Sequence, residues 1–172
     1  KIRDTSADEG TLGHELIGKQ ARGEPFTCDT PEMRQYLTKV GNWREDNEIV
    51  PLFIDNGSNN TFIKSRKWMV AGRFDELSLA KGNCVVLTDY KFGKNISGSH
   101  EIQLGIYSLL LKEDWKRNVN RFCLLYPKIN TGEDDGIHWY HEKQIKYLEG
   151  IAKRYLEVYK HYEAFEKENG RF

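Results

Sequence analysis

The chain has 172 residues, enough for one well-covered core and short for two, so a single domain spanning residues 1–172 is expected. Its 26 basic and 26 acidic side chains cancel, which gives no support to attachment to nucleic acid by bulk charge while leaving room for a local basic groove. Aromatic residues at 12% and distinct apolar runs exclude disorder despite a mean hydropathy of −0.70, and no run approaches the roughly 20 apolar residues of a membrane span.

The chain opens on Lys1 rather than Met and carries no secretory leader, which leaves room for a longer chain upstream. Residues 1–9 are polar, and Ser6 or Thr11 is placed to cap a helix through LGHELIGKQARG that Gly23 ends. His14 lies on this helix beside Leu16 and Ile17, where a histidine is ordinarily a packed or solvent-facing residue. Pro31 restarts a helix over PEMRQYLTKVGNWRED, with Met33, Tyr36, Leu37 and Val40 as its core stripe. NEIVPLFID reads as a strand, and Pro51 assigns it to a sheet edge or a bulge. After the NGSNN turn, residues 61–66 are expected to pair back through Phe62 and Ile63. Lys64, Arg66, Lys67 and Arg73 cluster here, as the lining of a phosphate groove or as a solvated strand face.

Two apolar runs follow, each ending at an acid. Trp68, Met69, Val70, Ala71 and Phe74 lead to Asp75, while Cys84, Val85, Val86 and Leu87 lead to Asp89. The intervening SLAKGN has the chemistry of a hairpin loop, so the two carboxylates are expected side by side. Asp89 and Lys91 stand two apart on a strand and share a face, while Tyr90 points into the opposite layer. Two acids holding a divalent ion beside an ammonium form a device for activating water against a phosphodiester. GKNISGSHE is a Gly- and Ser-rich link able to sit over the site, with Lys94 and His100 as phosphate contacts. In EIQLGIYSLLLKEDW, Gln103 and Tyr107 are an i, i+4 pair on one helical face.

RFCLLYP and IHWYHE read as the last strands, separated by NTGEDDG. Glu133, Asp134 and Asp135 in that turn lack the ligand spacing of a calcium loop. A long amphipathic helix closes the chain, with Ile145, Leu148, Ile151, Tyr155, Tyr159, Tyr162 and Phe165 at steps of three and four. Its tyrosine row reads as core rather than as a platform for bases. Cys28, Cys84 and Cys123 show no CxxC spacing, which points away from disulfides and zinc and toward a reducing, intracellular compartment.

GRFDEL, TDYK and QLGIY, preceded by EGTLGHEL, resemble motifs II and III, the QxxxY motif and the motif I segment of RecB-like nucleases in the PD-(D/E)xK superfamily. The resemblance covers residues 14–107. Its departure is Phe74, where that family more often has Ile or Leu. It implies an α/β, restriction-endonuclease-like core with a central mixed β-sheet flanked by helices. The implied metal is Mg²⁺ or Mn²⁺, held by His14, Asp75, Asp89 and the Tyr90 carbonyl, with Glu48 as the acid carried ahead of motif II. Lys91 would position the attacking water, and Gln103 and Tyr107 would hold Lys91 or the DNA backbone. Some relatives bind an iron-sulfur cluster through four cysteines, a set that three scattered cysteines do not supply, so none is expected. The implied activity is a DNA exonuclease of recombination, repair or replication, acting on the ends of single- or double-stranded DNA, with a protein partner or a homo-oligomer left open and no membrane. An RNA endonuclease of the cap-snatching type, a non-catalytic nucleic-acid-binding module and a subunit of a helicase-nuclease are the alternatives.

Overall fold

Two helices open the chain in the computed structural model, which describes residues 5–55, 59–92, 97–126 and 135–168. Helix α1 spans Thr5–Ala21. Ser6 and Thr11 therefore both lie within it, and neither is the expected cap. Its C-terminus closes as a Schellman turn: Glu24 N–H donates to Lys19 O and Gly23 N–H to Gln20 O, with Gly23 at φ +65°. Helix α2 occupies Pro31–Asp46, the expected bounds, with Thr30 extended ahead of the proline.

Among the described residues seven strands follow in two sheets. Strand β1 is Val50–Ile54, β2 Phe62–Ser65, β3 Val70–Arg73, β4 Glu76–Ala80 and β5 Cys84–Tyr90. Helix α3 (Gly98–Leu110) runs into a π-helical turn at Leu111–Trp115, and β6 (Arg121–Leu125), β7 (Ile137–Tyr140) and α4 (Glu142–Glu168) complete the chain. The larger sheet has the order β1-β4-β5-β6-β7, and every pairing is antiparallel except β5 with β6. The parallel pair forms the apolar centre of the sheet, because a parallel junction is covered on both faces. β1 is an edge strand whose register shifts between Pro51 and Phe53, so the proline sits at both the edge and the irregularity that its missing N–H favours.

Alternation along the strands sorts the core into two layers. One face carries Val86, Tyr90, Cys123 and Leu125 against Leu16 and Ile17 of α1 and Tyr36, Leu37, Val40 and Trp43 of α2. The other carries Leu77, Leu87, Phe122 and Leu124 against Leu104 and Leu110 of α3 and Ile145 and Leu148 of α4. The molecule is thus a mixed α/β fold, a five-stranded mixed sheet flanked by helices, compatible with a restriction-endonuclease-like core.

Four expectations are corrected. Residues 62–65 pair forward with β3 in a separate two-stranded ribbon rather than back on β1. Trp68 and Met69 belong to that ribbon's turn, Met69 at φ +57°, so the run before Asp75 is not the hairpin partner of the run before Asp89. That partner is β4, which begins after Asp75 and takes up Ser78, Leu79 and Ala80 of the expected loop, leaving the turn at Lys81-Gly82-Asn83. The last helix buries Ile145, Leu148, Ala152 and Leu156, while Tyr155, Tyr159, Tyr162 and Phe165 are exposed; its tyrosine row is not core, because 27 residues outrun the sheet they pack on. No described helix is long and apolar enough to cross a membrane.

Candidate active site

β4 and β5 are antiparallel with Glu76 opposite Thr88, so Asp75, one residue before β4, comes level with Asp89 near the end of β5. Tyr90 N–H donates to Asp75 Oδ2 at 2.7 Å and ties the two acids together across the strands. An extended residue projects its N–H and C=O to the same edge, so the Tyr90 carbonyl also faces the β4 side. The Tyr90 ring enters the opposite layer, as alternation requires.

Lys91 shares its face with Asp89. Its ammonium lies 2.7 Å from Asp89 Oδ2 and donates to Gln103 Oε1 at 2.9 Å. Gln103 Nε2 in turn donates to Tyr107 Oη at 2.8 Å, so the i, i+4 pair on α3 forms a chain of contacts behind the lysine. The Tyr107 ring lies over Gly72 of β3, where an added Cβ would come within 2.9 Å of it. The small residue in GRFD is therefore the floor on which the phenol rests.

His14 approaches from α1, its Nδ1 3.7 Å from Asp75 Oδ1. Its ring packs edge-on against Phe92, centroids 5.1 Å apart, and Phe92 occupies the space that a Cβ on Gly13 would need. Burial holds the His14 pKa below its ordinary value, so its imidazole is neutral at pH 7 and able to act as a ligand.

Burial dominates the electrostatics. Desolvation pushes Asp75 up to about 7, opposed by the Tyr90 N–H and by Lys91. Asp89 is likewise pushed up to about 7, by burial first and then by the charge of Asp75. Beyond the Lys91 ammonium, neither Asp89 oxygen has a donor among the described residues. Two buried carboxylates with free lone pairs, one ammonium and a neutral imidazole are a cation-deficient donor set, and it fits a hard divalent ion. Among the described residues no group of three or more His, Cys, Asp or Glu side chains stands ready to hold an ion.

Glu48 is not part of this constellation. β1 runs antiparallel to β4, so Val50 pairs with Leu79 at the turn end and Ile54 with Glu76 at the site end. Glu48 is consequently exposed at the far end of the sheet, paired with Lys81 at 2.5 Å. The acid that reaches the site is Asp55, just past β1, whose N–H donates to Asp75 O at 2.7 Å. It lines a cleft of ≈ 490 Å³ with His14, Asp75, Glu15, Lys19 and Arg22. Its signal is the one carried by RFD and LTD, an apolar run that ends in an acid.

A second cluster lies beneath these two acids. Glu76, fully buried, accepts from Arg44 Nη2 and from Tyr90 Oη, each at 2.6 Å, and from Ser78 Oγ. Arg44 Nη1 reaches Gln20 Oε1 at 3.4 Å, so the network joins α1, α2, β4 and β5 one residue away from Asp75 and Asp89. Only the alternation of Glu76 with Asp75 foreshadows it in the sequence.

The expected phosphate contacts divide. Lys64 and Arg73 are exposed on the β2–β3 ribbon and Arg66 in its turn. His100 is half-buried in the first turn of α3, where it completes a capping box with Ser97, Nδ1 accepting the Ser97 N–H at 3.4 Å. Residues 98–100 are therefore helix rather than link, and Lys94 lies outside the described residues. The three cysteines are free thiols. No family model and no curated protein matches the sequence, so the reading of this site rests on its geometry.

Proposed function

We propose that the chain is a divalent-metal-dependent nuclease of the RecB-like type that hydrolyses phosphodiester bonds in DNA. The observation that carries the proposal is the meeting of Asp75, Asp89 and Lys91 at the adjoining ends of β4 and β5, with Gln103 and Tyr107 behind the lysine. Mg²⁺ or Mn²⁺ would be held by Asp75, Asp89, His14 and the Tyr90 carbonyl, with Asp55 in reach through water. When bound, such an ion supplies acidity to its water and countercharge to the phosphate. Lys91 orients the attacking water and offsets charge that develops on the phosphoryl oxygens. Gln103 fixes the lysine's direction. Tyr107, whose pKa is pushed up to about 12 by burial, keeps its hydroxyl proton for a phosphate oxygen. An intracellular, reducing setting suits the three thiols, and whether a protein partner or a second copy joins the chain belongs to the same proposal.

The test uses end-labelled single- and double-stranded DNA, with RNA in parallel, incubated with Mn²⁺, Mg²⁺ or chelator beside Asp89→Ala and Lys91→Ala. Metal-dependent cleavage of DNA, lost in both variants at unchanged circular dichroism, is the expected result. Cleavage in chelator, or in both variants, overturns the mechanism, and preferential digestion of RNA moves the assignment to the RNA endonuclease.

A further inference from the structure

We propose that the outer face of the β2–β3 ribbon is a track for single-stranded nucleic acid, on which Phe62 stacks a base beside Arg73. The inference rests on the nuclease reading and deepens it by naming the form of substrate. Alternation divides the ribbon: Ile63 is in the core and Gly72 lies under Tyr107, while Phe62, Lys64, Ala71 and Arg73 face outward. No acid stands among those four. Two-stranded ribbons are marginal alone, and this one is fastened from within: Glu113 accepts from Ser65 Oγ and Lys67 N–H, and Asp114 from Lys64 N–H. Fastening one face leaves the other presented, and Phe62 keeps 40% of its surface exposed there.

Position supplies the second argument. Phe62 and Arg73 are cross-strand partners, so their side chains stand within about 5.5 Å at Cβ. The pair closes the end of the ribbon nearest the site, since Phe74 N–H donates to Thr61 O at 3.3 Å and Asp75 follows directly. A strand lying along Lys64 and Arg73 would thus run toward the cleft that Asp75 lines. An aromatic plane can stack only on a base whose face is free, which a duplex hides and a single strand offers; the neighbouring arginine and lysine take the phosphates. Of the exposed tyrosines of α4, Tyr159 and Tyr162 lack this complement, because they are bonded to Glu163 and Glu166, whose charge repels phosphate.

The test measures binding in chelator, where nothing is cut. Fluorescence anisotropy with a labelled oligothymidylate, and quenching of 2-aminopurine placed in the same strand, compare wild type with Phe62→Ala, Phe62→Trp and Arg73→Glu. Phe62→Ala should weaken single-strand binding about tenfold or more and remove the quenching, while Phe62→Trp retains both and duplex binding changes little. Arg73→Glu should lower affinity and flatten the salt dependence. Equal affinity of Phe62→Ala and wild type, or an unquenched probe, overturns the track; so does a dimer that Phe62→Ala converts to monomer with strand binding intact, which makes the face a protein interface. The two proposals fail separately. DNA cut in Mn²⁺ with Phe62→Ala binding like wild type sinks the track alone, whereas Phe62-dependent binding with no cleavage sinks the nuclease.

Discussion

Lys91 is held from two directions, by Asp89 Oδ2 at 2.7 Å and by Gln103 Oε1 at 2.9 Å, so its ammonium has one defined position rather than a cone of them. In the proposed reaction the ammonium faces the developing charge, so for Lys91→Ala the expected loss in kcat is about 10²-fold or more. Gln103→Ala leaves the ammonium in place but unaimed; kcat should fall about tenfold with KM little changed, which separates positioning from binding in a steady-state assay. The acids permit a prediction that needs no substrate. Asp75 and Asp89 are pushed up to about 7 in the folded chain, against 3.8 ordinarily. Between about pH 4 and 7 the native state therefore holds protons that the unfolded state has released, and metal-free stability falls as pH rises through that window. Urea unfolding in chelator should show the decline, and Asp89→Asn should flatten it, becoming more stable than wild type at pH 8 by on the order of 1–3 kcal/mol. A wild-type stability that rises from pH 4 to 7 contradicts the burial argument.

Among elements, the contact between the β2–β3 ribbon and α3 is the one most open to a single change. A Cβ on Gly72 would meet the Tyr107 ring at 2.9 Å, so Gly72→Ala must push the phenol off Gln103. The cost in stability is about 1–3 kcal/mol, and cleavage should fall alongside it. Tyr107→Ala removes the obstruction, so the double variant should be more stable than the two single losses predict when summed, a non-additivity that chemical denaturation reads directly. The sequence revealed what is local and periodic. Alternation brought Asp89 and Lys91 to one face and sent Tyr90 to the other; helical spacing paired Gln103 with Tyr107; Pro51 marked an edge. What it hid was set by partners distant in the chain. The run before Asp75 looks like one strand through Phe74, but Met69 turns at positive φ and Gly72 is claimed by Tyr107, so the chain changes sheet between Arg73 and Glu76. Glu48 and Asp55 exchange places in the assignment for the same reason, because only the antiparallel register of β1 on β4 decides which end of β1 meets the site.

Across the whole molecule, stability and the proposed activity pull in opposite directions at one place. At the sheet's ends Asp55, Asp75 and His14 line a cleft of ≈ 490 Å³ with Asp89 buried beside Asp75, and Asp75 and Asp89 are buried enough to resist ionising. Elsewhere a buried acid is matched: Glu76 accepts from Arg44, Tyr90 and Ser78, and breaking that set by Arg44→Ala should cost about 3–5 kcal/mol, because a charge is left stranded. Among the described residues Asp75 and Asp89 are faced by the Lys91 ammonium, one backbone N–H and the His14 ring, a set that the proposed ion would complete. A divalent ion that binds the folded state alone adds about 2.7 kcal/mol at a hundred times its Kd, which for a chain of this size raises Tm by about 5–10 °C. The rise should be full at pH 8, where the carboxylates are ready to ionise, and should vanish by pH 5, where protons occupy the same lone pairs. Asp89→Asn should abolish it at pH 8 while leaving metal-free Tm no lower than wild type. Differential scanning calorimetry with Mn²⁺ across that range checks the claim without any DNA, and a metal shift that is independent of pH, or that survives in Asp89→Asn, would place the ion somewhere other than between β4 and β5.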